Sequence, residues 1–484
     1  MEQSLLVELI RTLKSEEKAQ ILHFAALQFF NNGRMKTQVV PLLDICLNHP
    51  WYSSEQRLEK KEVFAKVFPD QVFVEGKLEK VMVEAHKVVR AFLLAQRYFK
   101  EENEFQQLLD FSEEVRTRGL DTRYHQLLAK LQKMQLESQR IDAQFFRRQY
   151  LLEHSKSNEE SIHNQAKGDL NIPNTIHALE LDFYLNRLVL LNHFLLQQKI
   201  ARLESVESVL EILEENEVPQ RYLAESAVIR INNEIFFLMK KGHPSPSEVQ
   251  NLFELLLVHE QSIDPKMLLE LYTHLRNLCV LSLTADYEQA EMYNVLNKLY
   301  KDNLGRGYLH FEGKINRSRY WAVSSNAINI KDLEWALEFI ETYKTEIRDE
   351  NETRDLYRLN YANYLFAKGR YSECLDNIPP TSPFVDYLLH GKRLELKALY
   401  ELQSDLLEYK LDAFKMFLSR TSQKLLSEAQ RQIHSDFANF LHQLVNSKPA
   451  DPKRSDLLVS RLQEKKQSAE WRWLLEKAKA LKST

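Results

Sequence analysis

The chain has 484 residues, with 65 Lys and Arg set against 69 Asp and Glu for a net charge of −4. That length exceeds what one compact core covers, so it implies two or three domains or one extended array. The charge leaves no basic footprint able to neutralise a phosphate backbone, which argues against nucleic acid as the main partner. Only 10 glycines and 13 prolines are present. Few positions can then supply the positive φ that hairpin turns and nucleotide-cradling loops need, so a β-rich or Rossmann-like chain is excluded and an all-α fold is expected.

The three cysteines, Cys46, Cys279 and Cys374, are far apart and odd in number, which suits a reducing compartment better than a disulfide framework. The opening MEQSLLVELIRTLKSEEKAQ mixes Glu2 and Glu8 into its apolar residues and has no small-residue cleavage site, so it reads as an amphipathic helix and not a signal peptide. No apolar run approaches the roughly 18 residues that a membrane span needs. The expectation is a soluble, cytoplasmic protein with no membrane partner.

Residues 1–155 read as an N-terminal helical region. Short amphipathic helices at about 2–13, 15–30, 37–47 and 54–66 are separated by Asn31-Asn32-Gly33, His49-Pro50 and Pro69. Longer ones follow at about 77–99, 102–118, 121–136 and 139–154, and links this short make neighbouring helices antiparallel. Residues 156–174 are polar, contain one Gly and one Pro, and lack helical periodicity; they predict a linker or surface loop.

From residue 175 to 484 helix pairs resume. Pro219, the break Gly242-His243-Pro244-Ser245-Pro246, and Asp264-Pro265 divide helices at about 203–215, 220–240, 246–259 and 265–284. Ser245 before Pro246, with Glu248 three residues on, is a helix-start signature.

A pattern then recurs. Ala285-Asp286-Tyr287-Glu288-Gln289-Ala290, Lys331-Asp332-Leu333-Glu334-Trp335-Ala336 and Gly369-Arg370-Tyr371-Ser372-Glu373-Cys374 each hold a turn, an aromatic or Leu two residues on, and a small residue three later. Twelve residues before Ala336 and Cys374 stand Ser324 and Ala362, small side chains where paired helices must approach closely. With Asn360-Tyr361-Ala362-Asn363-Tyr364-Leu365 as a first-helix signature, Gly369-Arg370-Tyr371 as its turn, and Cys374 and Ile378 in the second helix, the chain resembles the tetratricopeptide repeat family over about 265–420.

The resemblance implies hairpins stacked as an α-solenoid, with the first helix of each unit lining a groove that takes peptides. Carried over by position, it puts Asn360 and Asn363 in that groove, with Ser325 and Arg276 at the equivalent places of the two preceding units. An Asn offers a donor and an acceptor together and can hold an extended backbone, or it can merely tie neighbouring helices.

Other residues suggest packing more than chemistry. Trp321, Trp335, Tyr320, Phe339 and Tyr343 gather in one hairpin and read as core, with a ligand-stacking surface as the alternative. Cys374 occupies a packing position. The fifteen histidines contain no i, i+3 or i, i+4 pair, and no acid stands at ligand spacing to complete a set with His434 and His442, so neither a metal site nor a cofactor is expected. Gly305-Arg306-Gly307 lacks the rest of any phosphate-binding fingerprint and reads as a link between hairpins. The C-terminal helix with Trp471, Trp473, Leu474 and Leu475 is either a cap sealing the array or a docking element with an exposed apolar face.

The expected function is therefore a non-enzymatic protein–protein interaction scaffold or adaptor that binds a peptide segment or helix of a partner. The alternatives are a peptide- or ligand-responsive regulatory protein and an all-helical enzyme.

Overall fold

The computed structural model describes residues 4–50, 59–138, 140–163, 170–201, 217–285, 290–348, 353–448 and 450–482. The predicted helix at 203–215 and the start of the one at 54–66 lie outside them. Helices dominate the described residues, and the fold is all-α. It divides into two compact units, Met1–Ser138 with Leu151–Ile172, and Gln139–Tyr150 with Pro173–Thr484.

The first unit holds α1 (Leu5–Thr12), α2 (Ser15–Ala26), α3 (Lys36–Leu47), α4 (Lys60–Val67), α5 (Lys77–Tyr98), α6 (Glu104–Thr117), α7 (Asp121–Glu137) and most of α8 (Phe145–His163). Apolar residues at 3.6 spacing bury one face of each short helix: Leu6 and Ile10 of α1, Ile21 of α2, Leu42 and Leu43 of α3 join Val81, Ala85 and Val89 of the long α5. Helices of eight to twelve residues do not hold in water alone, so this shared burial is what keeps them folded. At the predicted Asn31 break, the buried amide of Asn31 donates to the carbonyls of Ala25 (3.0 Å) and Lys36 (2.9 Å), pinning the α2–α3 link. Of the predicted linker 156–174, residues 156–163 continue α8 and residues 164–169 lie outside the described ones; Ser155 bonds back to the Leu151 carbonyl and Lys156 pairs with Glu153, local contacts that hold a helix together without apolar periodicity.

In the second unit, α9 (Ile172–Ala201) leads to α10 (Gln220–Glu225), α11 (Ala227–Lys241), α12 (Pro246–His259), α13 (Pro265–Ala285) and α14 (Ala290–Gly305). Ser226 accepts from the Ile229 amide and opens α11 where the sequence predicts one unbroken helix at 220–240. Ser245 and Glu248 form the expected capping box at the start of α12. A two-stranded antiparallel hairpin, β1 (His310–Phe311) and β2 (Lys314–Ile315), occupies the link after Gly307; Glu312 and Gly313 both take positive φ, 53° and 73°, as a two-residue hairpin turn requires.

Then come α15 (Arg317–Asn329), α16 (Leu333–Thr342), α17 (Thr353–Ala367), α18 (Tyr371–Asn377), α19 (Val385–Glu401), α20 (Leu407–Arg420), α21 (Glu428–Val445), α22 (Pro452–Glu464) and α23 (Trp471–Ala480). From α11 to α21 each helix packs on the next, while α11 packs on α13, α12 on α14, α15 on α17, α17 on α19 and α21 on α23. The turns repeat as well. Lys331, Gly369 and Gln403 take left-handed φ of 62°, 74° and 53°. The amide after each reaches back five residues, Asp332 to Ala327, Arg370 to Leu365 and Ser404 to Leu399, at 2.9 to 3.0 Å, the helix-ending motif that glycine favours.

Ser324, Ala336, Ala362 and Cys374 are fully buried, as close helix crossings demand. Ala290, the small residue of the earliest segment, is exposed, unlike Ala336 and Cys374. Residues 286–289 of that segment lie outside the described ones.

Candidate ligand-binding cavity

Helical spacing brings one face each of α15, α17, α19 and α21 to a common open cavity of about 640 Å³ in the second unit. On α15, Trp321, Ser325 and Asn329 stand four apart; on α17, Asn363 and Ala367 do; on α19, His390, Arg393 and Lys397 follow at i, i+3 and i+7. α21 adds His434, and the turn into α23 adds Glu470.

The floor of the cavity is ionic. Arg393 and Lys397, 4% and 7% exposed, share the carboxylate of Glu470: Arg393 Nε donates to Oε1 at 3.1 Å and Lys397 Nζ to Oε2 at 2.6 Å. Burial pushes the Glu470 carboxyl up, but Lys397 and Arg393 outweigh it and hold the group well below the usual carboxylate range. The guanidinium also donates from Nη1 to His434 Nδ1 at 3.1 Å and from Nη2 to His390 Nδ1 at 2.5 Å. Burial, followed by the adjacent Arg393 charge, lowers both imidazoles, His434 to about 3. Both rings are therefore neutral at pH 7. Glu470 reaches this position from a left-handed backbone, φ 55°, a conformation that costs a non-glycine residue about 1 kcal/mol.

The upper wall is aromatic. Trp321 packs against His390 with ring centroids 4.5 Å apart, Lys397 Nζ stands 4.6 Å from the Phe366 centroid, and Arg472 covers Tyr293 at 4.4 Å. The expected aromatic cluster thus divides: Tyr320, Trp335, Phe339 and Tyr343 pack on one another with Tyr320 and Phe339 buried, and Trp321 turns to the cavity.

Of the four residues carried over from the repeat resemblance, two line the cavity and two do not. Ser325 does, and its buried Oγ has no hydrogen-bond partner among the described residues. Asn363 does as well, half-buried. Asn360, only three residues away, is fully buried; its amide donates to the Leu356 carbonyl at 2.7 Å and its Oδ1 accepts from Ser324 Oγ at 2.5 Å. It ties α17 to α15. Arg276 is also internal, donating to Asn303 and, at 2.7 Å, to Thr273, with burial drawing its pKa down to about 10.

No protein family, no curated protein and no solved structure matches the chain.

The C-terminal helix resolves as a cover for its own chain. Trp471, Leu474 and Leu475 are buried against α19 to α22, and Trp471 Nε1 donates to the Leu462 carbonyl at 2.8 Å. The docking alternative needs that face exposed and does not hold. Trp473 faces the cavity and bonds Glu401 at 2.8 Å. Cys46, Cys279 and Cys374 are buried thiols that burial pushes up to about 12; such thiols are poor nucleophiles.

The sequence reading missed the ionic floor. His390, Arg393 and Lys397 at i, i+3 and i+7, interleaved with the buried Leu389, Leu394 and Leu396, were the available sign: a helix buried all round has nowhere to put three polar groups except against partners.

Proposed function

We propose that the chain is a non-enzymatic adaptor that takes a peptide segment of a partner protein into the cavity of α15, α17, α19 and α21. One observation carries the reading: the buried hydroxyl of Ser325, which lines the cavity with Trp321, has no hydrogen-bond partner among the described residues. A buried polar group left unmade costs about 1 to 3 kcal/mol, and a ligand backbone that satisfied it, with Asn363 offering donor and acceptor beside it, would recover that cost. Aromatic walls supply the apolar contact.

Stacked tetratricopeptide-like hairpins would set their first helices side by side along one groove. Support comes from the repeated turn at Lys331, Gly369 and Gln403 and from the packing of α15 on α17 and α17 on α19. No described helix is long and apolar enough to cross a membrane, and the buried thiols of Cys279 and Cys374 agree with a cytoplasmic setting. The second reading, a small-ligand-responsive regulator, is favoured by the volume of about 640 Å³, which falls in the usual range of small-molecule pockets.

The test equilibrates the full chain with pooled random decapeptides and identifies those retained by mass spectrometry, beside a Ser325→Trp variant that fills the cavity. Retention by the wild type that disappears in the filled, still folded variant supports the proposal. No retained peptide, or retention indifferent to Ser325→Trp, overturns it.

A further inference from the structure

The hydrogen bonds of Arg393 fix the protonation of two neighbouring rings. A guanidinium has only donors, so the His390 and His434 Nδ1 atoms it touches, at 2.5 and 3.1 Å, must both be unprotonated acceptors. A neutral imidazole with a bare Nδ1 carries its proton on Nε2. Neither Nε2–H has a hydrogen-bond partner among the described residues, and both rings line the cavity. Two N–H donors are thus mounted on the two Nη atoms of one guanidinium.

Charge gives the second constraint. Arg393 and Lys397 are two cations against the single carboxylate of Glu470, so the buried cluster keeps one uncompensated positive charge. The other ionisable groups of the cavity, the exposed Asp386 and Glu476 and the half-buried Arg472, stand nearer solvent, where screening is stronger.

Resting on the reading of this cavity as the ligand site, we propose that it recognises a carboxylate of the bound peptide, which accepts the Nε2–H bonds of His390 and His434 against the excess charge of Arg393 and Lys397. One unit of charge and two donors match a monoanion with two oxygens. A phosphate monoester carries about two charges at neutral pH and would stay under-neutralised. The carboxylate is either a chain terminus or an Asp or Glu side chain. Ser325 and Asn363, which line the same cavity from α15 and α17, then serve the adjoining backbone.

The full chain labelled with ¹⁵N in histidine tests this directly, its His390 and His434 resonances assigned through the H390Q and H434Q variants. The probes are acetyl-glycylglycine, acetyl-glycylglycinamide, acetyl-aspartyl-glycinamide and inorganic phosphate. Without probe, both rings show the Nε2–H tautomer. A saturable shift of both signals by acetyl-glycylglycine, with an affinity at least tenfold above the amide, supports a terminal carboxylate; the same shift by the aspartyl probe alone supports a side chain. Equal effects of acid and amide, a stronger effect of phosphate, no shift with any probe, or an Nδ1–H tautomer overturns the proposal. Retention of decapeptides without preference for acids would overturn this proposal and leave peptide binding standing. A carboxylate effect with no decapeptide retained would do the reverse.

Discussion

Arg393 donates to Nδ1 of His434 across 3.1 Å, from α19 to α21. The bond places a permanent cation against an imidazole that must stay neutral to accept it, and Glu470 is the carboxylate that makes this arrangement tolerable. Glu470→Gln removes the charge and keeps the shape, leaving Arg393 and Lys397 buried with no counter-ion. Breaking a buried pair costs 3 to 5 kcal/mol in general; Glu470 retains 23% exposure, so a loss of about 2 kcal/mol is expected from urea unfolding. Glu373→Gln, which breaks the exposed pair with Arg370, leaves the midpoint where it was.

Acid should weaken the fold through buried histidines before Glu470 loses its contribution. His434 and His274 have folded pKa values lowered to about 3 and about 4 by burial, from 6.5. Below pH 6.5 the unfolded chain takes up protons that the folded chain refuses, so stability falls as pH drops towards the folded values, by up to about 1.4 kcal/mol per pH unit for each such group. Glu470 has a depressed pKa, and its contribution is lost only below its unfolded value near 4.5. Urea midpoints at pH 7, 6 and 5 should decline for the wild type and decline less steeply for His434→Gln.

The two asparagines of α17 should separate stability from binding. Asn360→Ala removes the bond from Ser324 Oγ, which keeps only its link to the Trp321 carbonyl at 3.1 Å, and empties space between α15 and α17; a cost of about 1 to 3 kcal/mol is expected with peptide retention unchanged per folded molecule. Asn363→Ala leaves the unfolding midpoint within about 0.5 kcal/mol and lowers retention. Denaturation and the decapeptide assay on both variants check the pair.

Lys331 and Gly369 occupy the same left-handed position of successive turns. Lys331→Gly relieves a side chain at φ 62° and should stabilise by about 1 kcal/mol. Gly369→Ala imposes the same strain; nothing lies within 4 Å of the added carbon, so its cost of about 1 kcal/mol is purely conformational. Opposite shifts in melting temperature are the expected result.

What sequence could and could not reveal follows from range. The all-α fold rests on local terms, scarce glycine and 3.6-residue periodicity, and the turn register at Lys331 and Gly369 is local too. Asn360 and Asn363 are three residues apart on one helix, and periodicity alone does not say which of them meets Ser324 and which meets the cavity. The ionic floor joins Glu470 to residues 73 and 77 positions earlier, through a left-handed turn that no glycine announces. His434 showed no acid at ligand spacing because its neighbour is a cation from another helix.

In the proposed function, the face shared by α15, α17, α19 and α21 receives the ligand. Hydrogen–deuterium exchange of the full chain, with and without a peptide recovered from the decapeptide pool, tests it most directly. Protection is predicted in residues 321–329, 363–367, 390–397 and 430–434, with exchange in residues 4–50 and 59–138 unchanged. Protection confined to other helices, or none despite saturation with the peptide, would contradict it.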